Sequence, residues 1–320
     1  MSKKTKLWII IPSFLILISC IIFCVVMNKL NWDFTKLSTN IFETNKYEIN
    51  DEFKDIKIKT NTADIEFILS ENLNNLVVCN EQKNVNHSVE VKDNTLVIEV
   101  VDTRKWYEYI GINFNTPKIT IYLPKSEYGE LLIRTSTGDV KIPKDFKFSS
   151  IDILVDTGDI INYAPVYENV KVKTSTGDIY VENIIASMLE LSTSTGQIDI
   201  VDVICSEDIE INVSTGKTNI VNSNCKNLLS SGSTGDIFMK KVIATEKFSI
   251  ERGTGDVNFE NCDASDIFIE TDTGDVVGSL LTDKVVFAET GTGRIDVPKV
   301  IADEKCEIIT DTGDIKITVE

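Results

Sequence analysis

The sequence has one histidine, fewer basic than acidic residues and no cysteines at metal-binding spacing. Each of these features makes certain classes of function less favoured. His87 is the sole histidine among 320 residues, and no nucleophile or metal ligand accompanies it in an evident motif. We therefore interpret it as a surface strand residue. The seven cysteines lack the paired spacing of a zinc site. We expect no resident metal, no cofactor and no catalytic residues.

Basic charge is scarce outside the N-terminus. Residues 1–27 hold three lysines and no acid, so the remaining 293 residues carry 29 basic and 50 acidic side chains, a net charge of −21. Such a body repels the phosphates of nucleic acids and anionic polymers unless metal ions intervene. Because no basic stripe with interleaved aromatic residues is present either, we exclude nucleic acid as a partner.

What the sequence does contain is a repeat. A Thr-Gly dipeptide recurs ten times in the second half of the chain, at intervals of 19 or 20 residues. A period this regular is typical of a solenoid, in which each repeat forms one coil that stacks on its neighbours. The turn glycines are Gly138, Gly158, Gly177, Gly196, Gly216, Gly235, Gly255, Gly274, Gly293 and Gly313. An aspartate follows the glycine in seven coils, at Asp139, Asp159, Asp178, Asp236, Asp256, Asp275 and Asp314.

The residues around each glycine alternate between apolar and polar, which is the pattern of a strand buried on one face. Around Gly177, Val172 precedes the turn and Ile179 and Val181 follow it, and the other coils repeat these columns. The glycine suits a corner that needs a positive φ. We predict an all-β, single-chain β-solenoid (β-helix) with 19–20 residues per coil, preceded by one N-terminal transmembrane helix.

The composition divides the chain into four segments. Residues 1–27 form a membrane anchor or signal segment, 28–46 a juxtamembrane linker, 47–130 an irregular β cap with early coils, and 131–320 the regular solenoid repeats. In the cap segment, Ala63 stands where a turn glycine is expected. The final strand, from Ile315 to Glu320, is expected to expose an edge that Lys316 and Glu320 protect only modestly. We hypothesise that this end docks a partner or a second copy.

The N-terminus combines positive charge with a long apolar run. The run from Leu7 to Met27 has 21 uncharged residues, which is long enough to cross a bilayer as a helix. The preceding lysines favour a cytoplasmic N-terminus and a single-pass protein whose body lies outside the cytoplasm. Residues 17–20 also resemble a lipoprotein processing site with Cys20 as the lipidated residue, although the apolar run continues beyond it. A cleaved signal peptide is the third alternative.

Three side-chain arrays have both a functional and a structural interpretation. The turn aspartates could hold Ca²⁺, which takes oxygen ligands, but aspartate is also an ordinary turn residue. The repeated Thr-x-Thr pattern resembles an ice-binding ladder, but its first threonine shares the parity of the buried columns and is expected to point inward. Cys205 and Cys225 fall in one column of small residues, and we interpret them as free buried thiols.

Enzymatic activity is disfavoured by the shortness of the connections. Pectin-active β-helix enzymes carry clustered carboxylates on long loops, whereas no interval between turn glycines exceeds 20 residues here. The glycines do not form a phosphate loop, because each repeat runs strand, turn, strand without a helix. We instead expect a binding surface on an outward column. One choice is the mixed column Tyr180, Asp199, Asn219, Phe238, Asn258 and Val277.

The repeated turn motif resembles that of a bacterial β-strand-repeat family known as putative adhesins, a domain of unknown function. The resemblance covers roughly residues 47–320. It depends on Ser136–Val140, Ser175–Ile179 and Ser233–Ile237, and on an alternating strand that ends in Leu123 and Pro124. It implies a β-solenoid, often membrane-anchored, at the envelope of Gram-positive bacteria, with some relatives encoded beside envelope-stress regulators. It supplies no catalytic residues.

From these patterns we predict a non-catalytic binding or scaffold module at the bacterial cell envelope, active in adhesion, wall contact or envelope stress. Its expected partners are the membrane, through the N-terminal helix, and a cell-wall or surface polymer or an envelope protein. The alternatives are a Ca²⁺-dependent interaction module and, less favoured, a polysaccharide-acting β-helix enzyme.

Overall fold

The computed structural model describes residues 3–37, 41–71, 74–106 and 115–319, which form one apolar helix and an all-β body. The helix α1 spans Lys3–Lys29, and a short 3-10 helix follows at Phe34–Leu37. The strands before the first long coil are β1 (Phe42–Ile49), β2 (Asp55–Lys59), β3 (Asp64–Leu69), β4 (Asn75–Gln82), β5 (Val85–Lys92), β6 (Thr95–Asp102) and β7 (Lys118–Leu123).

The next strands build the regular coils. They are β8 (Glu127–Thr137), β9 (Val140–Ile142), β10 (Lys147–Thr157), β11 (Ile160–Asn162), β12 (Asn169–Thr176), β13 (Ile179–Glu182), β14 (Ile185–Ala186), β15 (Met188–Thr195), β16 (Ile198–Val201), β17 (Ile204–Cys205) and β18 (Asp208–Thr215). The last are β19 (Thr218–Thr234), β20 (Ile237–Thr254), β21 (Val257–Cys262), β22 (Asp266–Thr273), β23 (Val276–Leu280), β24 (Val285–Thr292), β25 (Ile295–Asp296), β26 (Lys305–Thr312) and β27 (Ile315–Val319).

The helix contains the apolar run predicted from the sequence. Within it, residues 10–29 have a mean hydropathy of 2.9 and are long and apolar enough to cross a membrane. By length and composition this helix fits either a membrane anchor or a signal peptide.

Each coil of the body has three sides, and the predicted β-solenoid is confirmed. In the coil around Gly177, the long side is β12, the second side is β13 and the short third side is β14. Equivalent strands of successive coils pair in parallel, so that Val172 lies beside Leu191 and Ile179 beside Ile198. These residues are fully buried. Identical inward columns therefore stack into one continuous apolar core.

Two corners of the coil require unusual backbone conformations, the second of them in five of the coils. At the first corner Gly177 has a φ of 145°, and a Cβ atom on it would lie 2.1 Å from the carbonyl oxygen of Gly158. Only glycine fits there. The second corner falls six residues later and is occupied by side chains with φ between 51° and 57°. Its occupants are Asn183, Asp202, Asn222, Lys241 and Asn261.

The C-terminal end of the rod departs from the expected order. The last coil is inserted inward: β26 pairs with β22 on one side and β24 on the other, and β27 lies between β23 and β25. The expectation that the final strand exposes an edge is therefore wrong for Ile315 and Lys316, which are paired on both sides. Among the described residues, 317–319 pair with β23 alone. The coil of Gly293, which precedes it in sequence, is the terminal coil instead. Glu320 lies outside the described residues.

An ion-pair clasp holds this inserted coil. Lys284, whose side chain is 0% exposed, contacts Asp263 Oδ1 at 2.7 Å and Glu304 Oε2 at 2.5 Å. The two carboxylates raise the pKa of Lys284 against the opposing effect of burial. Because the residues precede three different strands, the clasp joins the terminal coil to the two coils beneath it.

The N-terminal end shows the same inward insertion. The first coil, β2 and β3, lies between β8 and β9 on one side and β6 and β7 on the other. Antiparallel strands then cover this end, since β5 pairs with β6, and β4 pairs with both β7 and β1. The aromatic rings of Phe67, Phe146 and Phe148 fill the interior beneath them.

The second corner predicts a stabilising substitution at Lys241. Lysine there has a φ of 52°, a conformation that costs an ordinary L-residue about 1–2 kcal/mol and asparagine less. We expect Lys241→Asn to raise the free energy of unfolding by about 0.5–1 kcal/mol, measured by urea denaturation of the full chain in detergent. Lys247→Asn is the control, because Lys247 lies in the extended strand β20. An equal effect of both changes would contradict the explanation.

Candidate functional site

The outward column predicted as a binding surface is continuous in the structure. The backbone register pairs Tyr180 with Asp199, Asp199 with Asn219, Asn219 with Phe238, Phe238 with Asn258, and Asn258 with Val277. All six lie on the outer face of the second side, and we call them the mixed column. Val277 is 40% exposed and the others are partly buried. Because the last coil is inserted, Lys316 lies beside Val277 and continues the column.

The polar end of the mixed column is held by internal hydrogen bonds. The side-chain amides of Gln197 and Asn219 donate to Asp199, the latter at 2.7 Å. Tyr180 donates its hydroxyl to Glu182 Oε2 at 3.0 Å. Burial, followed by the bond to Glu182, raises the pKa of Tyr180 to about 12, so the phenol stays neutral. These side chains are consequently fixed in place at the surface.

The apolar end of the mixed column borders a shallow groove of 380 Å³. Phe238 and Val277 supply apolar walls, and Asn258, Glu260 and Lys316 supply polar groups. Gly278 lies at the groove and has no side chain. The ring of Phe259 occupies that space, since a Cβ atom on Gly278 would lie 2.1 Å from it. An apolar surface with a few placed polar groups is the usual composition of a small ligand site.

The turn aspartates form a hydrogen-bonded ladder. Asp159 Oδ1 accepts the backbone N–H of Asp178 at 2.8 Å, and Asp178 Oδ1 accepts that of Gln197 at 2.7 Å. The same bond recurs onto the backbone N–H groups of Asp139, Asp159, Asp256, Asp275, Arg294 and Asp314. Each of these carboxylates therefore satisfies a backbone donor of the next coil at an exposed corner. This role accounts for the aspartate column without a metal ion.

The first threonine of each Thr-x-Thr pattern points inward, as predicted. Thr174 and Thr193 are buried and donate their hydroxyls to the carbonyl oxygens of Gly158 and Gly177, at 3.2 and 3.1 Å. Thr271 and Thr310 make the same bond. The hydroxyls fasten the glycine corner from inside, so the first threonines present no face to solvent. The second threonines, such as Thr176 and Thr195, are exposed and lie side by side.

The interpretation of His87 as a surface residue is wrong. The residue is 4% exposed, because its ring lies between Glu81 of β4 and Thr60 of the first coil. His87 Nδ1 lies 2.6 Å from Glu81 Oε2, and Nε2 lies 2.8 Å from Thr60 Oγ1. Cys79 is buried beside them, and ligand atoms of Cys79, Glu81 and His87 lie within 4.8 Å of one another. We call these three residues the cap cluster.

A cleft of 380 Å³ opens beside the cap cluster and is lined by His87, Gln82 and Asn61, among others. Thr60, His87 and Glu81 repeat the hydroxyl, imidazole, carboxylate order of nucleophilic hydrolases. Thr60, however, is buried and occupies the column of the inward threonines, three residues before Ala63. Thr60 is not among the described residues that line the cleft. We therefore explain the hydrogen bonds from Thr60 to His87 and from His87 to Glu81 by the packing of the cap against the first coil.

The cysteines of the body are free and buried: Cys79, Cys205, Cys225, Cys262 and Cys306. Cys205 and Cys225 stand in successive coils, as predicted. Burial raises the pKa of both thiols to about 12. Burial, and then the charge of Glu81, raises that of Cys79 to about 12 as well. Protonated thiols of this kind are inert toward oxidants in the absence of a metal.

A sequence profile of Toastrack DUF4097 matches residues 53–222 and again residues 204–320. Together these matches span most of the chain and confirm the resemblance that the turn motif predicted. No curated protein matches the sequence.

Solved structures are similar to this chain at low sequence identity. A putative adhesin from Parabacteroides distasonis superposes with a TM-score of 0.51 at 13% identity, over 74% of this chain and 98% of that chain. A putative adhesin from Bacteroides fragilis gives 0.46 at 18% identity, over 87% and 97%. A putative lipid binding protein from P. distasonis gives 0.46 at 16% identity, over 88% and 98%. At these identities the likeness concerns the fold alone.

The aspartate ladder predicts a cost for removing one carboxylate. Asp178→Ala leaves the backbone N–H of Gln197 without its side-chain acceptor, and we expect a loss of about 1 kcal/mol in the free energy of unfolding. Lys217→Ala is the matched control at the same turn position, since its side chain contributes only an exposed ion pair to Asp236 at 3.4 Å. Urea denaturation measures both. A loss at Lys217 as large as that at Asp178 would show that the ladder bond is not responsible.

Proposed function

This chain belongs to the Toastrack DUF4097 family, and on that premise we propose that it is a non-catalytic binding or scaffold module. In this proposal α1 anchors the protein in the membrane and the solenoid lies outside the cytoplasm at the bacterial cell envelope. The apolar length of α1 and the three lysines before its apolar run support the anchor. Lipidation of Cys20 is the alternative means of attachment.

The observation that carries the proposal is the mixed column with its groove. The column runs across successive coils without a loop that interrupts it, and it offers an aromatic ring, an aliphatic side chain, an amide and both charges at one end. We propose that this end binds a cell-wall or surface polymer. The net charge of −21 on residues 28–320 disfavours anionic polymers, so the expected ligand is a neutral glycan segment.

Co-sedimentation with isolated cell-wall sacculi tests the proposal. The full chain in detergent is expected to pellet with the sacculi, and Phe238→Ala is expected to weaken binding about tenfold, because it removes the aromatic wall of the groove. Leu154→Ala is the matched control, since Leu154 is an exposed apolar residue on the outer face of the long side. Circular dichroism checks that both variants are folded.

Three other outcomes would redirect the proposal. Equal pelleting of the Phe238 and Leu154 variants would place the wall contact elsewhere on the solenoid. Wild-type protein that stays in the supernatant, with and without Ca²⁺, would favour an envelope protein as the partner. Turnover of a glycan, abolished by a charge-to-alanine change, would favour the enzyme alternative.

The Ca²⁺-dependent alternative is tested on the same preparation. The ladder already uses one oxygen of most turn aspartates, as at Asp159 and Asp178, and this supports a structural role. A metal that binds only the native state raises its melting temperature, by an amount that grows with the logarithm of the ratio of metal concentration to Kd. We expect Ca²⁺ to leave the melting temperature unchanged. A rise that Asp178→Ala reduces would favour the Ca²⁺-dependent module.

The final strand is covered at Ile315 and Lys316, so a longer unpaired edge for self-association belongs to another strand of the same end. Among the described residues β24 is paired only on the side of β26, with Val286 and Ala288 half-buried against the core and Phe287 58% exposed. We propose that a second copy occupies this edge, because the same strand related by a two-fold axis satisfies its unpaired backbone groups in antiparallel fashion.

Light scattering of the detergent-solubilised chain across a concentration series tests this edge. We expect a dimer that Phe287→Lys converts to a monomer, because a charge on an edge opposes strand pairing. Leu154→Lys is expected to leave the dimer intact. A wild-type protein that stays monomeric at the highest concentration would remove the proposal.

A further inference from the structure

The cap cluster brings together three different metal ligands that the sequence separates. Cys79 and Glu81 lie on β4 and His87 on the following strand β5. Their side chains are 0%, 1% and 4% exposed, and one ligand atom from each lies within 4.8 Å of the other two. A thiol, an imidazole and a carboxylate together form a ligand set typical of zinc and unsuited to the harder Ca²⁺ and Mg²⁺.

The hydrogen bonds around the cluster orient these ligands. Asn45 donates to Glu81 Oε1 at 2.7 Å, and the backbone N–H of His87 donates to Oε2 at 2.8 Å. Nε2 of His87 is held by Thr60, which leaves Nδ1 facing Glu81 at 2.6 Å. A histidine that ligates a metal through one ring nitrogen usually donates the N–H of the other to a polar group. Thr60 is placed to accept that bond.

We propose that Cys79, Glu81 and His87 bind one Zn²⁺ ion through Sγ, a carboxylate oxygen and Nδ1. The ion displaces the proton of the Cys79 thiol and replaces the hydrogen bond between Nδ1 and Oε2. Thiolate, carboxylate and Zn²⁺ together are neutral, so the buried group carries no net charge once the ion is bound. Zinc bonds of 2.0–2.3 Å require only small side-chain movements from the present separations.

The cleft provides the route and the fourth ligand position. His87 and Gln82 line it, and its volume of 380 Å³ admits several water molecules. Three protein ligands and one water is a common zinc arrangement. The ion joins β4 to β5 at the end of the rod that the antiparallel strands cover, and it therefore stabilises the folded cap.

Metal titration of the full chain in detergent tests the proposal. After treatment with a chelator, Zn²⁺ is added in competition with a chromophoric chelator, and Co²⁺ is added in a parallel sample. We expect one Zn²⁺ per chain, a higher melting temperature, and a thiolate-to-cobalt charge-transfer band. Cys79→Ser is expected to abolish the band and lower zinc affinity about a hundredfold or more, and Asn45→Ala to lower it about tenfold, as loss of a residue that orients a ligand does.

The matched control is Cys306→Ser, since Cys306 is equally buried but lies at the other end of the rod, in β26. It is expected to retain both the stoichiometry and the band. The proposal is overturned if the chain takes up no stoichiometric zinc, or if both cysteine variants behave alike. Should Cys79→Ser fail to fold, X-ray absorption of the wild-type zinc complex decides: one sulfur ligand supports the site, whereas a shell of oxygen alone indicates adventitious binding to surface carboxylates.

Discussion

The close approach of glycine to glycine at the first corner is the constraint on which the rest of the solenoid depends. A Cβ atom on Gly196 would lie 2.0 Å from the carbonyl oxygen of Gly177, so a coil can stack at strand spacing on the corner of its neighbour only if it has glycine at that point. Ala63 replaces the glycine in the first coil alone, and there it supplies the carbonyl oxygen that Gly138 approaches. Once this point is fixed, the strands on both sides are in register, and the inward columns coincide from coil to coil. The threonine hydroxyls inside and the aspartate carboxylates outside then bond to the same corner, each from the neighbouring coil. The surface column is a consequence of the same register.

This constraint explains why so much of the fold could be predicted from the sequence. Period, inward columns, turn residues and the inward direction of Thr174 all follow from local spacing, and the structure agrees with each. A corner after the strand Ile179–Glu182 was also expected, but its positive φ was not, because the position is occupied by several residue types. The signal was present, since asparagine or aspartate recurs six residues after the glycine and tolerates a positive φ. Lys241 obscured it.

Features that depend on contacts between distant segments could not be predicted. The inward insertion of β26 has no local signal, because the coils of Gly293 and Gly313 have the same pattern, and it moves both the exposed edge and the neighbour of Val277. The cap cluster could not be predicted for a similar reason: Glu81 and His87 meet through a hairpin, and His87 contacts Thr60 of another coil.

Arg252 is the third feature that depends on a contact between distant segments. It is buried in the threonine column, its guanidinium donates to Ser230 at 2.8 Å, and it occupies space that Gly232 leaves open.

The two ends of the rod cover their apolar columns and strand edges in different ways. A stack of coils leaves apolar columns and unpaired strand edges at each end. At the N-terminal end, antiparallel strands cover the first coil and bury Glu81 and His87 beneath them. The cost of burying these two side chains is offset by their hydrogen bonds to each other, to Asn45 and to Thr60. At the other end β24 keeps one edge unpaired among the described residues, and the Lys284 clasp secures the coil from within. The two ends of the solenoid therefore differ: antiparallel strands cover the N-terminal end, whereas β24 keeps an unpaired edge at the other end of the described residues.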